Sequence, residues 1–389
     1  MQLRIKNSVC CYLEKLNAGD ALALEIGTLV GDVISRLTGK RNTPLIGLDI
    51  SSTSIKLVEL SEGNNKELRL ERYASEPLPR GAMSDGNIEN IDQVAEAIRR
   101  VIAKSGTRIK KVSLGMPSAA VITKKITLSG GASEASLEMQ VESEASQYIP
   151  FALDEVRLDF CVIGPAPNSD VDIEVMLAAS RKEKIEDRVA VAEVAGLKAE
   201  VMDIESYAAR AAISRIIEQS ENGGKDKIIA LFQIGAKVTH ISVILNDQAV
   251  YEREQAFGGN QLTQEIVRSY GLSFEEAELK KKAEDLPEGY VEDVLNPFLE
   301  SAALEVTRAI QFFFTSTPYT RIDQIYLAGG CVVLPGLLDM IATRTKISTA
   351  VISPFKGMAL SPNVKEKQLR TEAPSFLVAC GLAMRRFDQ

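Results

Sequence analysis

The first stretch of the sequence that could do chemistry is a short polar turn between two apolar segments, Asp49-Ile50-Ser51-Ser52-Thr53-Ser54-Ile55-Lys56. Small hydroxylated residues leave successive backbone N–H groups uncrowded, and such groups form a concave site for an anion such as phosphate. Lys56 could neutralise phosphate charge, and Asp49 could hold a hydrated Mg²⁺, which prefers carboxylate and water ligands. The alternative is an ordinary serine-rich hairpin with a surface lysine.

Two further turns contain residues small enough for close backbone approach. Gln233-Ile234-Gly235-Ala236-Lys237-Val238-Thr239 lies between two apolar segments, and Gly235 and Ala236 leave its backbone uncrowded. Ala328-Gly329-Gly330 follows an apolar segment and precedes a helical pattern, where backbone could lie flat against a ring or a phosphate. An isolated Gly-Gly is more often simple turn chemistry. The three turns in this order are more specific than any one of them.

Alternating strands and helices are predicted to position these turns. Leu45–Asp49 and Ile55–Leu60 read as two strands around the first turn. The stretch from Ile229 to Ile244 repeats the same strand, turn and strand without a gap. Hairpins are common, so chance is one explanation, but a repeat near the start of each half favours a duplicated architecture.

Hydrophobic periodicity predicts the remaining elements. The predicted helices are Ile91–Ser105, Ser133–Tyr148, Lys182–Ala195, Ser206–Gln219, Gln261–Tyr270, Ser273–Lys282, Val291–Phe314, Pro335–Thr343 and Ser375–Phe387. The other predicted strands are Lys111–Gly115, Arg157–Ile163, Ile173–Ala179 and Gln324–Leu327.

Composition excludes several classes of function. Among 389 residues, 45 are Lys or Arg and 53 are Asp or Glu, so the net charge of −8 argues against a general nucleic-acid binder. His240 is the one histidine, which rules out paired-histidine zinc sites, and we expect it to be a packing or cross-strand residue. The five cysteines are scattered, as expected for a reduced, cytoplasmic protein. No segment approaches the roughly 18 apolar residues of a membrane span, so we expect partners to bring the protein to a membrane.

The three turns in this order resemble the actin-like ATPase superfamily, with two phosphate hairpins followed by an adenosine loop. Within that superfamily the chain is similar to the family of type IV pilus assembly proteins PilM, over about residues 43 to 387. The stretches that carry this resemblance are Gly47 to Leu60, Tyr148-Ile149-Pro150-Phe151, Gly258-Gly259-Asn260-Gln261-Leu262-Thr263, Gln311-Phe312-Phe313-Phe314, Leu327-Ala328-Gly329-Gly330 and Ala379-Cys380-Gly381-Leu382-Ala383.

The resemblance implies an α/β fold: the actin-like, ribonuclease H-like duplicated two-lobe ATPase fold with an inserted small α+β subdomain. Each lobe is expected to hold a five-stranded mixed sheet, with the nucleotide between the lobes. The expected divisions are a flexible N-terminal extension at 1–42, a first lobe at 43–116, 201–222 and 366–389, the inserted subdomain at 117–200, a second lobe at 223–257 and 321–365, and its helical subdomain at 258–320.

The resemblance also implies ATP and Mg²⁺ as cofactors. The first hairpin would cup the β- and γ-phosphates, Asp49 would hold Mg²⁺ through water, and the adenosine would lie against the glycine loop. Glu205 would orient the attacking water, although an acid favoured by the helix dipole at a helix N-terminus explains it equally well. The residues expected to bind the nucleotide are Asp49, Ser51, Ser52, Thr53, Ser54, Lys56, Gly235, Ala236, Thr239, Glu278, Lys281, Gly329 and Gly330.

One position departs from the superfamily pattern. The second hairpin normally opens with Asp, and here that residue is Gln233. A neutral amide adds no charge to bind Mg²⁺ or to orient a nucleophile, and phosphoryl transfer depends on such positioning and electrostatics. We therefore expect ATP binding with weak or absent hydrolysis.

By the same resemblance, the expected function is that of an ATP-binding scaffold that supports pilus biogenesis and twitching motility. Its expected place is the cytoplasmic side of the inner membrane, peripheral to it. The expected partner is the N-terminal cytoplasmic peptide of PilN, bound in a groove between the inserted subdomain and the first lobe, and through it PilO and PilP. Contact with pilus motor ATPases and self-association stay open, and no nucleic-acid partner is expected. Two alternatives remain: a filament-forming division or shape protein, and a small-molecule kinase of the same fold.

Overall fold

The computed structural model describes residues 44–387 except 64–66, 132, 168 and 170. The predicted extension at 1–42 lies outside the described residues. The chain divides into two compact units. Unit 1 comprises the described residues up to Ala211, with Ala359–Asn363 and the residues from Val378 onward. Unit 2 comprises Ala212–Met358 and Val364–Leu377.

The structure alternates strands and helices, as predicted. The strands are β1 (Ile46–Ile50), β2 (Ser54–Glu62), β3 (Leu68–Pro77), β4 (Met83–Ser84), β5 (Asn87–Ile88), β6 (Lys111–Met116), β7 (Val121–Ser129), β8 (Val156–Pro165), β9 (Asp172–Arg181), β10 (Lys198–Ile204), β11 (Ile228–Ile234), β12 (Thr239–Leu245), β13 (Gln248–Gln255), β14 (Gln324–Ala328), β15 (Thr349–Val351) and β16 (Ala359–Leu360). The α-helices are α1 (Ile91–Ser105), α2 (Glu134–Tyr148), α3 (Lys182–Val194), α4 (Glu205–Glu218), α5 (Asn260–Tyr270), α6 (Phe274–Ala283), α7 (Asn296–Ser316), α8 (Leu337–Thr345), α9 (Glu366–Glu372) and α10 (Leu377–Met384).

Local sequence signals account for helix α1, whose bounds match the prediction. The side chain of Asn90 accepts a hydrogen bond from the backbone N–H of Gln93 at 3.0 Å, which caps the free donors of the first turn. Gly106 ends the helix in the left-handed conformation at φ 68°, which favours glycine. Between these caps the apolar face, including Val94 and Ile98, is fully buried.

The main sheet of unit 1 has the strand order β10-β6-β1-β2-β3-β16. Strand β1 is antiparallel to β2 and parallel to β6, and β6 is parallel to β10. The sheet has six strands where five were predicted, because Ala359 and Leu360 return to pair with Arg69 and Leu70 of β3. All five residues of β1 are buried, which explains why its sequence is almost entirely apolar.

The main sheet of unit 2 has the order β13-β12-β11-β14-β15. Strand β11 is antiparallel to β12 and parallel to β14, β12 is antiparallel to β13, and β14 is parallel to β15. These five strands have the order and directions of β3-β2-β1-β6-β10 in unit 1. The duplication predicted from the two hairpins is thus confirmed across five strands in each unit.

The segment predicted as an inserted subdomain holds a small antiparallel sheet of its own. Its order is β7-β9-β8, with β9 paired to both neighbours. Helix α2 packs on this sheet through Val141 and Ala145, which bury against Val175 and Leu177. Strand β9 runs directly into helix α3 without a loop, so this small sheet is joined to α3 by continuous backbone.

Several strands were not predicted, because charged side chains interrupt their apolar pattern. Strand β3 is an example: Arg72 pairs with Glu59 of β2 at 3.7 Å, so charges that suggest a loop satisfy one another across the sheet. The predicted helix Val291–Phe314 begins with a π-helical turn, Val291–Leu295, before α7. Among the described residues, no helix is long and apolar enough to cross a membrane.

Candidate nucleotide-binding site

The hairpin between β1 and β2 brings the carboxylate of Asp49 and the ammonium of Lys56 together. Asp49 and Lys56 are directly opposite each other in the strand register. The ammonium of Lys56 donates to Asp49 Oδ2 at 3.2 Å and to Ser51 Oγ at 3.1 Å. Both side chains are largely buried, with 7% of Asp49 and 13% of Lys56 exposed. The two residues therefore form an ion pair beside the turn.

The turn itself is closed by hydrogen bonds among its serines. The backbone N–H of Ser51 donates to the carbonyl of Ser54 at 3.1 Å, and the Ser51 hydroxyl donates to the same carbonyl at 2.8 Å. Leu78 N–H donates to the carbonyl of Thr53 at 2.9 Å, and the Thr53 side chain is exposed. The Ser51 hydroxyl thus holds the turn, whereas Ser52 and Thr53 occupy its tip.

The site suits a metal ion bound through water rather than a directly coordinated one. Asp49 is a single carboxylate, and its Oδ2 already accepts from Lys56. Within the described ranges, no group of three or more His, Cys, Asp or Glu side chains could hold a metal. Mg²⁺ keeps several waters in most protein sites, so one carboxylate that accepts from a metal-bound water fits an ion that arrives with a nucleotide. When bound, such an ion would neutralise phosphate charge.

Glu205 begins helix α4 and lies against the end of strand β6. A Cβ atom at Gly115 would lie 2.9 Å from Glu205 Cγ, so the glycine makes room for this side chain. Arg188 of α3 meets the same strand end and donates to the Gly115 carbonyl at 2.9 Å. Burial lowers the pKa of Arg188, although the carboxylates of Glu205, Asp187 and Asp49 act to raise it. Arg188 therefore meets the same strand end as Glu205, and the charges of Glu205 and Asp49 both reach its guanidinium.

Sequence reasoning missed Arg188, although a signal for it exists. Helix α3 buries Ile185, Val191 and Ala192, and Arg188 stands at the same helical spacing on that apolar face. A charged residue in the middle of a predicted apolar face is unusual enough to mark a candidate position.

The second hairpin repeats the backbone of the first with different side chains. Gln233 and His240 are directly opposite each other in the register, where unit 1 has its ion pair. Gly235 N–H donates to the Val238 carbonyl at 3.0 Å, which matches the bond that closes the first turn. His240 Nδ1 lies 3.2 Å from Glu254 Oε1 across the next strand pair, and the hydrogen bond from His240 lowers the pKa of Glu254 despite its burial. His240 is a cross-strand residue, as predicted.

Backbone of residues 257–260 packs tightly against the second hairpin. Gly259 N–H donates to the Gly235 carbonyl at 3.0 Å, and Asn260 N–H donates to the Ala236 carbonyl at 2.8 Å. A Cβ atom at Gly258 would lie 2.6 Å from the Ala236 oxygen. The buried Thr239 hydroxyl donates to the carbonyl of Phe257 at 2.8 Å. The segment before α5 therefore covers this hairpin.

The predicted adenosine loop packs against the same hairpin next to Gly259, whose Cβ position would lie 2.3 Å from Cys331 Sγ. Gly329 has φ 99°, and a Cβ atom there would lie 2.3 Å from the Ile234 carbonyl oxygen. Gly330 has nothing within 4 Å of its Cβ position. The Cys331 thiol donates to the Gly235 carbonyl at 3.2 Å, and burial raises its pKa to about 11. Packing therefore excludes a side chain at position 329 but leaves room for one at position 330.

Glu278 and Lys281 of α6 form an ion pair. Thr263 forms hydrogen bonds with both residues, and sequence reasoning missed Thr263. Lys281 Nζ contacts Glu278 Oε1 and donates to Thr263 Oγ1 at 2.6 Å, and the Thr263 hydroxyl also contacts Glu278. Burial acts to raise the pKa of Glu278, but the charge and hydrogen bonds of its neighbours lower it overall. The Thr263 hydroxyl lies 3.2 Å from the Gly259 carbonyl, and a Cβ atom at Gly259 would lie 2.3 Å from Cys331 Sγ, so the pair lies near the glycine loop.

The duplicated strand order and paired hairpins define an actin-like α/β protein. Among solved structures, an ethanolamine utilization protein EutJ from Carboxydothermus hydrogenoformans shares this fold, at 17% identity and a TM-score of 0.51, with 87% of this chain and 88% of that chain covered. A PilM-PilN type IV pilus biogenesis complex matches at 27% identity and a TM-score of 0.74, with 89% of this chain and 99% of that chain covered. The family model of type IV pilus assembly protein PilM matches residues 47–387. The chain belongs to the PilM family of type IV pilus assembly proteins.

Proposed function

We propose that this chain is an ATP-binding scaffold of the type IV pilus assembly machinery. The observation that carries the nucleotide part is the duplicated hairpin, with the Asp49–Lys56 ion pair beside one turn and the glycine-lined Gly235 turn in the other. A lysine beside a turn of small residues offers both a cation and backbone donors for phosphate.

Each predicted site residue keeps its expected role in this proposal. In unit 1, Ser51 to Ser54 and Lys56 contact phosphate, and Asp49 accepts from Mg²⁺-bound water. In unit 2, Gly235, Ala236 and Thr239 belong to the second phosphate hairpin. The adenosine part is contacted by Glu278, Lys281, Gly329 and Gly330.

Hydrolysis is slow or absent in this proposal. Gln233 stands directly opposite His240, where the first hairpin has Asp49 opposite Lys56. An amide at this position can accept a hydrogen bond from water but adds no negative charge to orient it. Glu205 remains the candidate for orienting water, because it is a carboxylate at the start of α4 beside the end of strand β6.

The proposed partner is the N-terminal cytoplasmic peptide of PilN, and through PilN the proteins PilO and PilP. The match to a PilM-PilN complex over 99% of that chain supports PilN as the partner. The protein would then work at the cytoplasmic face of the inner membrane, held there by its partner, in pilus biogenesis and twitching motility. Contact with the pilus motor ATPases would follow from that place.

Calorimetry on the full chain tests both parts of the proposal. Titration with ATP and Mg²⁺ should show saturable binding that Lys56→Ala weakens about 10- to 100-fold, because a charge-assisted hydrogen bond to phosphate is lost. Lys198→Ala is the matched control, since this lysine of unit 1 is 72% exposed and lies outside the predicted site. A synthetic PilN N-terminal peptide should bind the same chain. No heat with ATP would refute the nucleotide part, and no binding of the peptide would refute the scaffold part.

A further inference from the structure

Arg188 is a buried cation held by two backbone carbonyls. Only 1% of its surface is exposed, which makes it one of the most deeply buried large side chains in the described part of the chain. Its Nε donates to the Gly115 carbonyl and its Nη2 to the Gly86 carbonyl, both at 2.9 Å. Two bonds to different segments hold the planar guanidinium in one position and orientation.

Two of the three carboxylates that act on Arg188, those of Glu205 and Asp49, belong to the candidate phosphate site of unit 1. The carboxylates of Glu205, Asp187 and Asp49 all act on its guanidinium, with Glu205 the strongest. Gly115 links Arg188 to Glu205 directly, because its carbonyl accepts from the arginine and its missing Cβ makes room for Glu205 Cγ. The ammonium of Lys56 already donates a hydrogen bond to Asp49 and so offsets the charge of that carboxylate. Without a second cation, Glu205 would leave this region negative and unfavourable for phosphate.

A buried charge costs stability, and an apolar side chain of similar volume often serves packing better. On helix α3, the neighbours of Arg188 at helical spacing are Ile185, Val191 and Ala192, so an apolar residue would suit that face. The arginine is therefore better explained by the site than by the core. A fixed cation that is already oriented stabilises anionic groups without reorganising when they bind.

We propose that Arg188 is a positioning residue of the unit 1 phosphate site, whose fixed charge offsets Glu205 and allows the hairpin to accept a triphosphate. Arg188 acts through Glu205 and through the strand end at Gly115, and it does not itself contact the nucleotide. The proposal rests on the proposed ATP binding and adds a residue from the inserted segment to that site.

The test compares the affinity of the full chain for ATP and for AMP, measured by calorimetry. Arg188→Met should weaken ATP binding at least about tenfold and AMP binding much less, because one unit charge matters more to the more highly charged ligand. Arg188→Lys should retain most of the preference for ATP, since it keeps the charge. If Arg188→Met does not fold, the ratio of ATP to AMP affinity in Arg188→Lys still decides the question.

A double-mutant cycle separates this role from a structural one. If Arg188 acts by offsetting Glu205, then Glu205→Gln in the Arg188→Met background should restore most of the lost ATP affinity. Glu193→Gln is the matched control, because Glu193 is an exposed carboxylate on the same helix, and it should restore nothing. When only Arg188→Lys folds, it should retain the ratio of ATP to AMP affinity of the unmodified chain, and a loss of that ratio with the charge still present would contradict a role through charge.

Two results would overturn the inference. One is an unchanged ratio of ATP to AMP affinity in Arg188→Met, with a loss of thermal stability alone. The other is a double variant with Glu205→Gln that binds ATP no better than the single arginine variant. Failure of the proposed function is distinguishable, because the unmodified chain would then bind no ATP at all.

Discussion

The two hairpins of this protein share a backbone and differ in chemistry. In unit 1 the turn is flanked by Asp49 and Lys56, which form an ion pair at 3.2 Å. In unit 2 the corresponding cross-strand pair is Gln233 and His240, and the imidazole is engaged with Glu254. The first hairpin thus carries a carboxylate and an ammonium, whereas the second has a neutral amide at the position of the carboxylate.

The surroundings of the two turns also differ, because polar side chains contact the first turn and glycine backbone packs on the second. The first turn is closed by its own serine hydroxyls and by Lys56. The second turn is contacted by backbone of Gly258, Gly259 and Gly329, and the missing side chains of Gly258 and Gly329 allow their close approach. Duplication has therefore kept the backbone of the hairpin in both units, with charged side chains beside the first turn and closely packed glycines around the second.

The largest expected effect concerns the glycines packed around the second turn. Gly329→Val should lower the free energy of unfolding by at least about 3 kcal/mol, because a side chain meets the Ile234 carbonyl and φ 99° is a left-handed value. Gly330→Ala is the control, since its Cβ position is open, and it should change stability by less than about 0.5 kcal/mol. Denaturation with urea measures both. Equal effects at the two glycines would show that packing on the second hairpin is not what this loop requires.

The next effect restores to the second hairpin the carboxylate that the first one has. Gln233→Asp should raise steady-state phosphate release from ATP by about tenfold, because a charge that positions water and Mg²⁺ is added. Gln233→Asn changes length in the same way without adding charge and should leave the rate near that of the unmodified chain. Rapid release by the unmodified chain, or equal rates for the two variants, would contradict the proposed reason for slow hydrolysis.

The smallest expected effect is a pH dependence of stability in unit 2. The pKa of Glu278 is lowered in the folded chain, so its ion pair stabilises the fold above the unfolded pKa, and this contribution is lost as the pH falls through the folded pKa. Lys281→Met removes the ammonium and should cost about 1 kcal/mol at pH 7. The cost should shrink at a pH below the folded pKa of Glu278, where protonation removes the carboxylate charge.

Urea denaturation at the two pH values measures this difference. Lys280→Met is the control, because its partner Asp285 is 77% exposed and water screens that pair. A cost for Lys281→Met that is the same at both pH values would mean that the lysine packs rather than pairs.

Short-range patterns predicted the parts of the site that lie next to one another in the chain. The two hairpins, Gln233 and helix α1 with its Gly106 end were all readable, because a turn and its flanking strands are specified by adjacent residues. Strand β3 was not, since its charges are satisfied by partners such as Glu59 on another strand. The sixth strand of unit 1 was equally unreadable, because it is formed by Ala359-Leu360, far from β3 in sequence.

The sequence alone determined the duplicated turns, the family and the missing carboxylate at Gln233, because each depends on residue type at a fixed local spacing. Only the tertiary structure decided that Arg188 shares a strand end with Glu205, and that Thr263 joins the Glu278–Lys281 pair. Such contacts join segments that are distant along the chain. They depend on which strands and helices become neighbours, and this is set by packing over the whole unit rather than by any local pattern.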